Sequence, residues 1–275
     1  MMRRRGPGPN ELDAVLSARD RSVVEGIAAH RFLTTRQVQR WYFTDHATQA
    51  TATRITTRTL HRLHSLHVLE RLERRVGGIR AGSASFTWAI GPSGDRWLQT
   101  TNGEGVRRRF EEPSATFLQH TLAVADTHLQ LVEAQRLGML DLISVELEPN
   151  CWRTYPGGTK GPQTLRPDLY VVTGHGEYEL HTFLEVDRAT ESIPAVLRAC
   201  RRYQDYRRTG REQQATGTFP HVLWLVPNEA RRDKLTDAIS QARDLDTALF
   251  SVYLSADVVT ALSNTFTLTK GGDYA

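Results

Sequence analysis

The sequence is poor in cysteine, in lysine and in long apolar runs. Its two cysteines, Cys151 and Cys200, belong to no C-x-x-C motif. This pattern excludes a cysteine-based zinc site and favours a reducing compartment. No run approaches the roughly 18 apolar residues of a membrane span, and the arginines at 3–5 precede Gly-Pro-Gly-Pro rather than an apolar signal region. We therefore expect a soluble, cytoplasmic protein without a membrane partner.

The motifs of several common enzyme classes are also absent. The chain contains no Gly-rich phosphate loop, no nucleophile elbow and no redox pair. A small-molecule enzyme or an RNA-processing enzyme therefore has no supporting motif. At 275 residues the chain exceeds the usual size of one domain, so we expect two domains.

The charge differs between the two halves of the chain. Residues 1–112 contain 19 arginines, no lysine and 11 acids, for a net charge of +8. Residues 113–275 contain 16 basic residues and 20 acids, for a net charge of −4. A basic first domain predicts a polyanionic partner, most simply nucleic acid, whereas acids in the second domain suit a metal site or ordinary solubility.

The first domain is predicted to contain three helices followed by a β-hairpin. Apolar residues recur at helical spacing, and Thr34 can cap the second helix. The predicted elements are a helix or a broken pair at 11–30, helices at 34–42 and 48–67, strands at 67–75 and 85–90 around Gly77-Gly78, and a short helix at 95–98. This order predicts a winged helix-turn-helix domain.

Arginines follow one face of the third predicted helix and the predicted wing. In winged-helix modules the third helix lies in the major groove and the wing lies beside the DNA backbone. Because the arginines on the helix are spaced by four, they share a face. The predicted DNA-binding residues are Arg54, Arg58 and Arg62 on the helix and Arg74, Arg75 and Arg80 on the wing.

Residues 165–191 carry three acids at the ends of two predicted strands. Asp168 precedes the apolar run 169–172, and Glu185 and Asp187 stand two apart at the end of the run 183–186. Because side chains alternate along a strand, the last two acids are expected on one face. Oxygen ligands suit a hard cation such as Mg²⁺ or Mn²⁺. The alternative is that Pro167-Asp168 is a turn and the other two acids pair with arginines.

The second domain is predicted to alternate helices and strands. The continuous apolar run 221–226 is typical of a central strand covered on both faces. The predicted order is α-β-β-β-α-β-α-β, with elements at 114–137, 142–147, 168–172, 183–186, 193–209, 221–226, 231–242 and 249–254. The full prediction is a disordered arm at 1–10, the winged-helix domain at 11–98, a linker at 99–113, this domain at 114–258 and a C-terminal tail at 259–275.

The order of these elements and acids resembles the PD-(D/E)xK nuclease-like fold. The resemblance places Pro167-Asp168 at the first motif and Glu185 at the second, and it implies Mg²⁺ or Mn²⁺ at Asp168, Glu185 and Asp187 if the domain is active. Asp187 stands where the family has a lysine that helps activate water, which puts hydrolysis in doubt. The candidate catalytic residues are Asp168, Glu185, Asp187 and Arg188, the last of which is expected on the opposite face of the strand. Arg198, Arg201 or Arg202 on the following helix could supply the basic side chain in place of the lysine.

The combination of the two domains resembles the replication-relaxation family of actinobacterial plasmids and mobile elements. The residues that carry the resemblance are RPDLYVV, FLEVDRATES and the helix with Tyr203 and Tyr206 behind a winged helix-turn-helix. The resemblance implies a protein that binds double-stranded DNA and acts in replication, relaxation or mobilisation, with other replication or mobilisation proteins as partners. An active Mg²⁺-dependent endonuclease or nickase is the alternative. A homodimer is compatible with such domains, although no heptad stripe predicts one.

Overall fold

The protein is described here by a computed structural model that covers residues 6–72, 86–102, 112–157 and 161–272. The chain is mixed α/β, as predicted. It divides into two compact units, Met1–Leu129 and Gln130–Ala275. Within the covered ranges, no helix combines the length and the apolar composition that a membrane crossing requires.

The first unit contains helices and a small antiparallel sheet. The strands of this sheet lie in the order β1-β3-β2. The described elements are α1 (Pro9–Val15), α2 (Ala18–His30), β1 (Leu33–Thr34), α3 (Thr35–Tyr42), α4 (Gln49–Ser65), β2 (Leu69–Arg71), β3 (Thr87–Ile90), α5 (Pro92–Asn102) and, through Leu129, α6 (Ala115–Arg136).

Local capping sets the starts of α2 and α3. The Thr34 hydroxyl accepts a hydrogen bond from the Gln37 amide at 3.2 Å, and the Gln37 side chain accepts one from the Thr34 amide at 2.8 Å. Ser17 and Asp20 form the same reciprocal arrangement at the start of α2. Each arrangement satisfies amides that a helix leaves unpaired at its start. Because Ser17 begins a new helix, the predicted segment 11–30 is a broken pair.

The first half of α6 belongs to the first unit. Leu118 and Leu122 are buried in one apolar cluster with Phe32, Leu72 and Ala89. The Gln37 side chain also donates a hydrogen bond to the Leu122 carbonyl at 2.9 Å. The compact unit therefore runs to Leu129, beyond the predicted linker at 99–113. Helix α5 includes residues 99–102 of that linker, and residues 103–111 lie outside the described ranges.

The second unit is built on a five-stranded mixed sheet in the order β10-β9-β8-β7-β4. A separate two-stranded hairpin pairs β5 with β6. The described elements are the end of α6, β4 (Asp141–Leu147), β5 (Arg153–Pro156), β6 (Pro162–Leu165), β7 (Leu169–His175), β8 (Tyr178–Val186), α7 (Ile193–Arg208), α8 (Arg211–Thr216), β9 (His221–Val226), α9 (Glu229–Gln241), β10 (Phe250–Leu254) and α10 (Val258–Gly272).

The sheet combines antiparallel and parallel pairs. Strands β4, β7 and β8 pair antiparallel, whereas β8, β9 and β10 run parallel. Helices α7 and α9 contribute Tyr203 and Leu235 to the apolar core on one face, which also contains Phe183 and Trp224. Glu185 is two residues from Phe183 and therefore points to the same face.

Three elements of the second unit differ from the prediction. The β5–β6 hairpin and α8 were not predicted, because the two strands and the helix are short, polar and without a strong apolar period. Of the predicted C-terminal tail at 259–275, residues 259–272 lie in α10. The helix forms because Val258, Ala261 and Leu262 recur at helical spacing and are fully buried.

In the predicted arm at 1–10, α1 begins at Pro9, and residues 1–5 lie outside the described ranges.

Candidate functional site

Asp168 is held by the backbone where β7 begins. Its amide donates to the Leu184 carbonyl at 3.1 Å, and its carboxylate oxygen Oδ2 accepts from the Val186 amide at 2.7 Å. The Cys151 thiol donates to the carbonyl of the preceding Pro167 at 3.0 Å. The side chain of Asp168 is buried, with a relative exposure of 7%. These contacts leave Asp168 little freedom to move.

Glu185 lies beside Asp168 on the neighbouring strand. Asp168 precedes Leu169, which pairs with Leu184, the residue before Glu185, and the charge of Asp168 acts on Glu185. The Tyr203 hydroxyl of α7 donates to Glu185 Oε1 at 2.5 Å. The structure thus brings two of the three predicted acids together and adds a tyrosine from the helix above them.

The environment of Glu185 favours its neutral form. Burial raises the pKa of Glu185 well above that of an exposed glutamate, and the negative charge of Asp168 raises it further. The hydrogen bond from Tyr203 and the charge of Arg202 lower this pKa, but they do not offset the burial. Burial and the nearby Glu185 also raise the pKa of Tyr203 well above its usual range, so that its hydroxyl remains a donor. A buried carboxyl with a strongly raised pKa beside a second carboxyl is typical of functional sites.

Asp187 does not join the other two acids. Its Oδ2 lies 2.5 Å from Nε of Arg231 on α9, and both side chains are buried, at 2% and 10% relative exposure. Its Oδ1 accepts from the Ala189 amide at 2.8 Å. Arg231 also donates to the Glu191 carbonyl at 2.9 Å and so fixes the turn after β8. The third predicted metal ligand is therefore part of a buried ion pair, the alternative that the sequence left open. Arg188 is partly buried in the same turn.

Among the described residues, Asp168 and Glu185 form a pair of carboxyl groups rather than a complete set of metal ligands. Within residues 6–72, 86–102, 112–157 and 161–272, no group of three or more His, Cys, Asp or Glu side chains could hold a metal ion. Mg²⁺ is often bound through one or two carboxylates, with water and substrate phosphate completing its shell. Asp168 and Glu185 fit a cation bound in that way, whereas Asp187 does not.

The sequence did not indicate a partly buried polar network around Arg153. Arg153 on β5 donates to Glu146 at 3.0 Å and to Glu212 at 3.2 Å, and its guanidinium lies 4.7 Å from the ring centroid of Tyr170. Glu212 on α8 also accepts from the Tyr206 hydroxyl. The network connects the hairpin, the sheet and α8. Its residues come from distant positions and share no motif, so only the fold reveals it.

Two predicted DNA-binding arginines are exposed on α4. Arg54 and Arg58 lie one turn apart, and neither forms an ion pair with another residue in the described part of the chain. Arg62 lies one turn further and differs, because its guanidinium is 2.5 Å from the buried carboxylate of Asp20. Although burial alone raises the pKa of Asp20, hydrogen bonds from Arg62 and Ser17 lower it overall. The predicted wing residues Arg74, Arg75 and Arg80 lie outside the described ranges.

The first unit also contains a buried pair of histidines that the sequence did not reveal. His30 Nδ1 lies 2.8 Å from the Gly26 carbonyl, so this nitrogen carries the proton. His30 Nε2 therefore accepts from His128 Nδ1 at 3.0 Å, and Trp41 contacts both rings. Burial lowers the pKa of His30 and, together with the nearby His30, lowers that of His128 to about 3. Both rings are neutral at neutral pH.

Comparison with known proteins finds one family. A model of the family described as replication-relaxation matches residues 25–222, which is more than two thirds of the chain. No curated protein and no solved structure matches the chain. The matched range includes α4, Asp168 and Glu185, and it ends before Arg231.

Proposed function

The chain belongs to the replication-relaxation family, and on that premise we propose that it is a DNA-binding protein acting in replication, relaxation or mobilisation of a plasmid or integrated element. In this proposal the first unit is a winged helix-turn-helix domain that binds double-stranded DNA. The second unit is a nuclease-like domain without the lysine of active relatives, and it serves as a scaffold for DNA or for other replication or mobilisation proteins.

The exposed face of α4 carries the proposal. Thr53, Arg54, Thr57, Arg58 and His61 are exposed and recur at helical spacing. An α-helix fits the major groove of B-DNA, where arginine can bind guanine and short hydroxyl side chains can reach phosphates or base edges. Because neither Arg54 nor Arg58 forms an ion pair with a residue that the structure describes, both remain available to DNA.

The proposal is tested by replacing Arg54 and Arg58 together with alanine. Each lost phosphate contact should reduce the slope of log K against log salt by roughly 0.9 for duplex DNA. We expect at least about a tenfold loss of affinity and a slope lower by about one to two units. The measurement is fluorescence anisotropy of labelled duplex DNA over a series of salt concentrations.

The control is the double substitution Arg19→Ala/Arg21→Ala, which changes the net charge equally. Arg19 lies 2.6 Å from Asp45, and Arg21 lies 3.4 Å from Asp13, so both arginines have acidic partners. We expect the control to keep the affinity of the unmodified protein. If both double variants bind DNA as the unmodified protein does, α4 is not the DNA-binding helix.

A second candidate function is Mg²⁺-dependent or Mn²⁺-dependent cleavage of DNA, favoured by the adjacent carboxyl groups of Asp168 and Glu185. In this alternative the two residues would hold the cation, which would stabilise negative charge on the phosphate. Asp187 contributes no ligand because Arg231 binds it. Hydrolysis would have to proceed without a lysine at position 187.

This alternative is tested by incubating supercoiled and linear DNA with the protein and either metal. The matched variant is Asp168→Ala/Glu185→Ala, which removes the two carboxyl groups and keeps Asp187. Cleavage by the unmodified protein but not by the variant would establish the endonuclease. Equal background cleavage by both proteins, across metals and substrates, would exclude it.

A further inference from the structure

The arginines of α7 fall into two groups that differ in their partners. Three of them are bound by aspartates. Arg201 lies 2.6 Å from Asp244, Arg207 lies 2.5 Å from Asp246, and Arg208 lies 2.9 Å from Asp205. The charges of these three arginines are therefore compensated within the protein.

Arg198 and Arg202 form the second group. They are exposed and lie one turn apart on the same flank of α7. Neither forms an ion pair with any residue in the ranges that the structure describes. The charge of Arg202 acts on Glu185, so this flank lies close to the carboxyl pair. Tyr203, the next residue, reaches Glu185 directly.

A third exposed arginine borders the same carboxyl pair from the β5–β6 hairpin. Arg166 follows β6 and is two residues from Asp168, which is at most about 7 Å of extended chain. Its guanidinium lies 4.7 Å from the ring centroid of Trp152. A guanidinium stacked on an aromatic ring keeps its N–H donors free in its own plane, where they suit a phosphate group. The stack also reduces the entropy that binding would cost.

We propose that Arg166, Arg198 and Arg202 form a basic rim around Asp168 and Glu185 that binds the phosphodiester backbone of DNA. Charge complementarity selects this ligand, because three arginines that form no ion pair with any described residue flank a site in a unit whose other charges are mostly acidic. The surface lies in the second unit and does not involve α4. The choice of DNA rests on the proposed function, whereas the phosphodiester chemistry follows from the rim itself.

The rim is tested in the full-length chain that already carries Arg54→Ala/Arg58→Ala, so that binding by α4 is weakened. The rim variant adds Arg166→Ala/Arg198→Ala/Arg202→Ala. The control adds Arg201→Ala/Arg207→Ala/Arg208→Ala, which removes the same number of charges from arginines that already have acidic partners. Anisotropy of labelled single-stranded and duplex DNA is measured over a range of salt concentrations.

We expect the rim variant to bind at least about tenfold more weakly than the control, with a salt slope lower by about two units. Loss on either form of DNA supports the rim and identifies the preferred form. Replacing the same three arginines with lysine should preserve the salt slope, because lysine keeps the charge. An equal affinity and slope in the rim variant and the control, on both forms of DNA, overturns the inference.

The outcomes separate this inference from the proposed function. If Arg54→Ala/Arg58→Ala alone changes nothing and the rim variant loses binding, the rim stands and α4 is not the DNA-binding helix. If the first pair matters and the rim does not, the rim is wrong and the role of α4 stands. Thermal unfolding, followed by circular dichroism, checks that each variant is folded, and the lysine variant remains informative if the alanine variant is not.

Discussion

Two buried pairs of like groups, one in each unit, respond to burial in opposite directions. In the first unit, His30 and His128 have lowered pKa values and are neutral because they lack a proton. In the second unit, burial and the negative charge of Asp168 raise the pKa of Glu185, which favours the form that keeps its proton. The same cause acts in both places, since removal from water disfavours the charged form of an acid and of a base alike.

The ion pair of Asp187 and Arg231 is an exception, because it keeps charged groups away from water. As whole residues, Asp187 and Asp168 each have 7% relative exposure, but a guanidinium contacts the carboxylate of Asp187 directly. Glu185, in β8, and Asp187, just after the strand, therefore respond differently to burial. Burial favours the protonated form of Glu185, whereas the guanidinium of Arg231 compensates the charge of Asp187.

The largest effect is expected from Arg231→Ala, which leaves the carboxylate of Asp187 buried and unpaired. Breaking a buried ion pair on one side typically costs about 3–5 kcal/mol. We expect the free energy of unfolding of the second unit to fall by this amount, measured by urea denaturation. Arg231→Ala/Asp187→Ala should restore part of the loss, because no unpaired charge remains.

The control for this prediction is Arg232→Ala at the next position of α9. Arg232 pairs with Asp233 at 2.9 Å, but both side chains are exposed. A surface pair of this kind contributes at most about 1 kcal/mol. Equal losses from Arg231→Ala and Arg232→Ala would show that burial does not distinguish the two ion pairs.

An intermediate effect is expected from acidification of the first unit. The unfolded chain takes up protons on its histidines below about pH 6.5, whereas the folded pair resists them, so stability should fall as the pH drops. Each such histidine costs up to about 1.4 kcal/mol per pH unit. Between pH 7 and pH 5, the hydrogen-exchange protection factors of α2 and α3, which are corrected for the slower intrinsic exchange at lower pH, should therefore fall.

His128→Asn sharpens this prediction, because asparagine keeps a donor toward His30 but cannot take up a proton. The variant should lose less protection on acidification than the unmodified protein. His61→Asn, an exchange of an exposed histidine of the same unit, is the matched control. If His128→Asn and His61→Asn respond to pH alike, the buried pair is not the source of the dependence.

The smallest effect is expected from Glu185→Gln. Because the folded pKa of Glu185 is raised, its contribution to stability is present below the unfolded pKa and is lost as the pH rises through the folded pKa. Glutamine stays neutral and can still accept from Tyr203. We expect the variant to be more stable than the unmodified protein at alkaline pH, by on the order of 1 kcal/mol, and equally stable at acidic pH.

The matched control for this prediction is Glu177→Gln in the exposed turn between β7 and β8. Unfolding by urea is measured for both variants at several pH values. A constant difference between Glu185→Gln and the unmodified protein at every pH would contradict a raised pKa of Glu185. A rise in stability of the control at alkaline pH would indicate a general charge effect.

The sequence was sufficient for most elements but not for their long-range partners. The apolar periods placed α7, at Ile193–Arg208, within one residue of its predicted bounds, and β9 at its predicted bounds. The alternation along β8 predicted that Glu185 and Asp187 share one face. What alternation cannot supply is a partner such as Arg231, which is 44 residues from Asp187 in the chain. Tertiary packing brings such residues together, so no local pattern indicates them.

Tertiary packing also determines which arginines of α4 have partners within the protein. Their spacing placed Arg54, Arg58 and Arg62 on one face, and all three are exposed on that helix. The carboxylate of Asp20, which binds Arg62, belongs to a capping arrangement on another helix. A spacing of four thus identifies residues that share a face, but not which of them are engaged within the protein.

Helix α6 continues without a break through Leu129, where the two compact units divide. A fragment that ended in the predicted linker would lack Leu118, Leu122 and Ala125, and apolar surface on the first core would become exposed to water. A fragment that began after Leu129 would in turn start in the middle of a helical turn. The boundary between the two compact units therefore differs from the predicted linker at 99–113, and fragments of this protein should keep α6 intact.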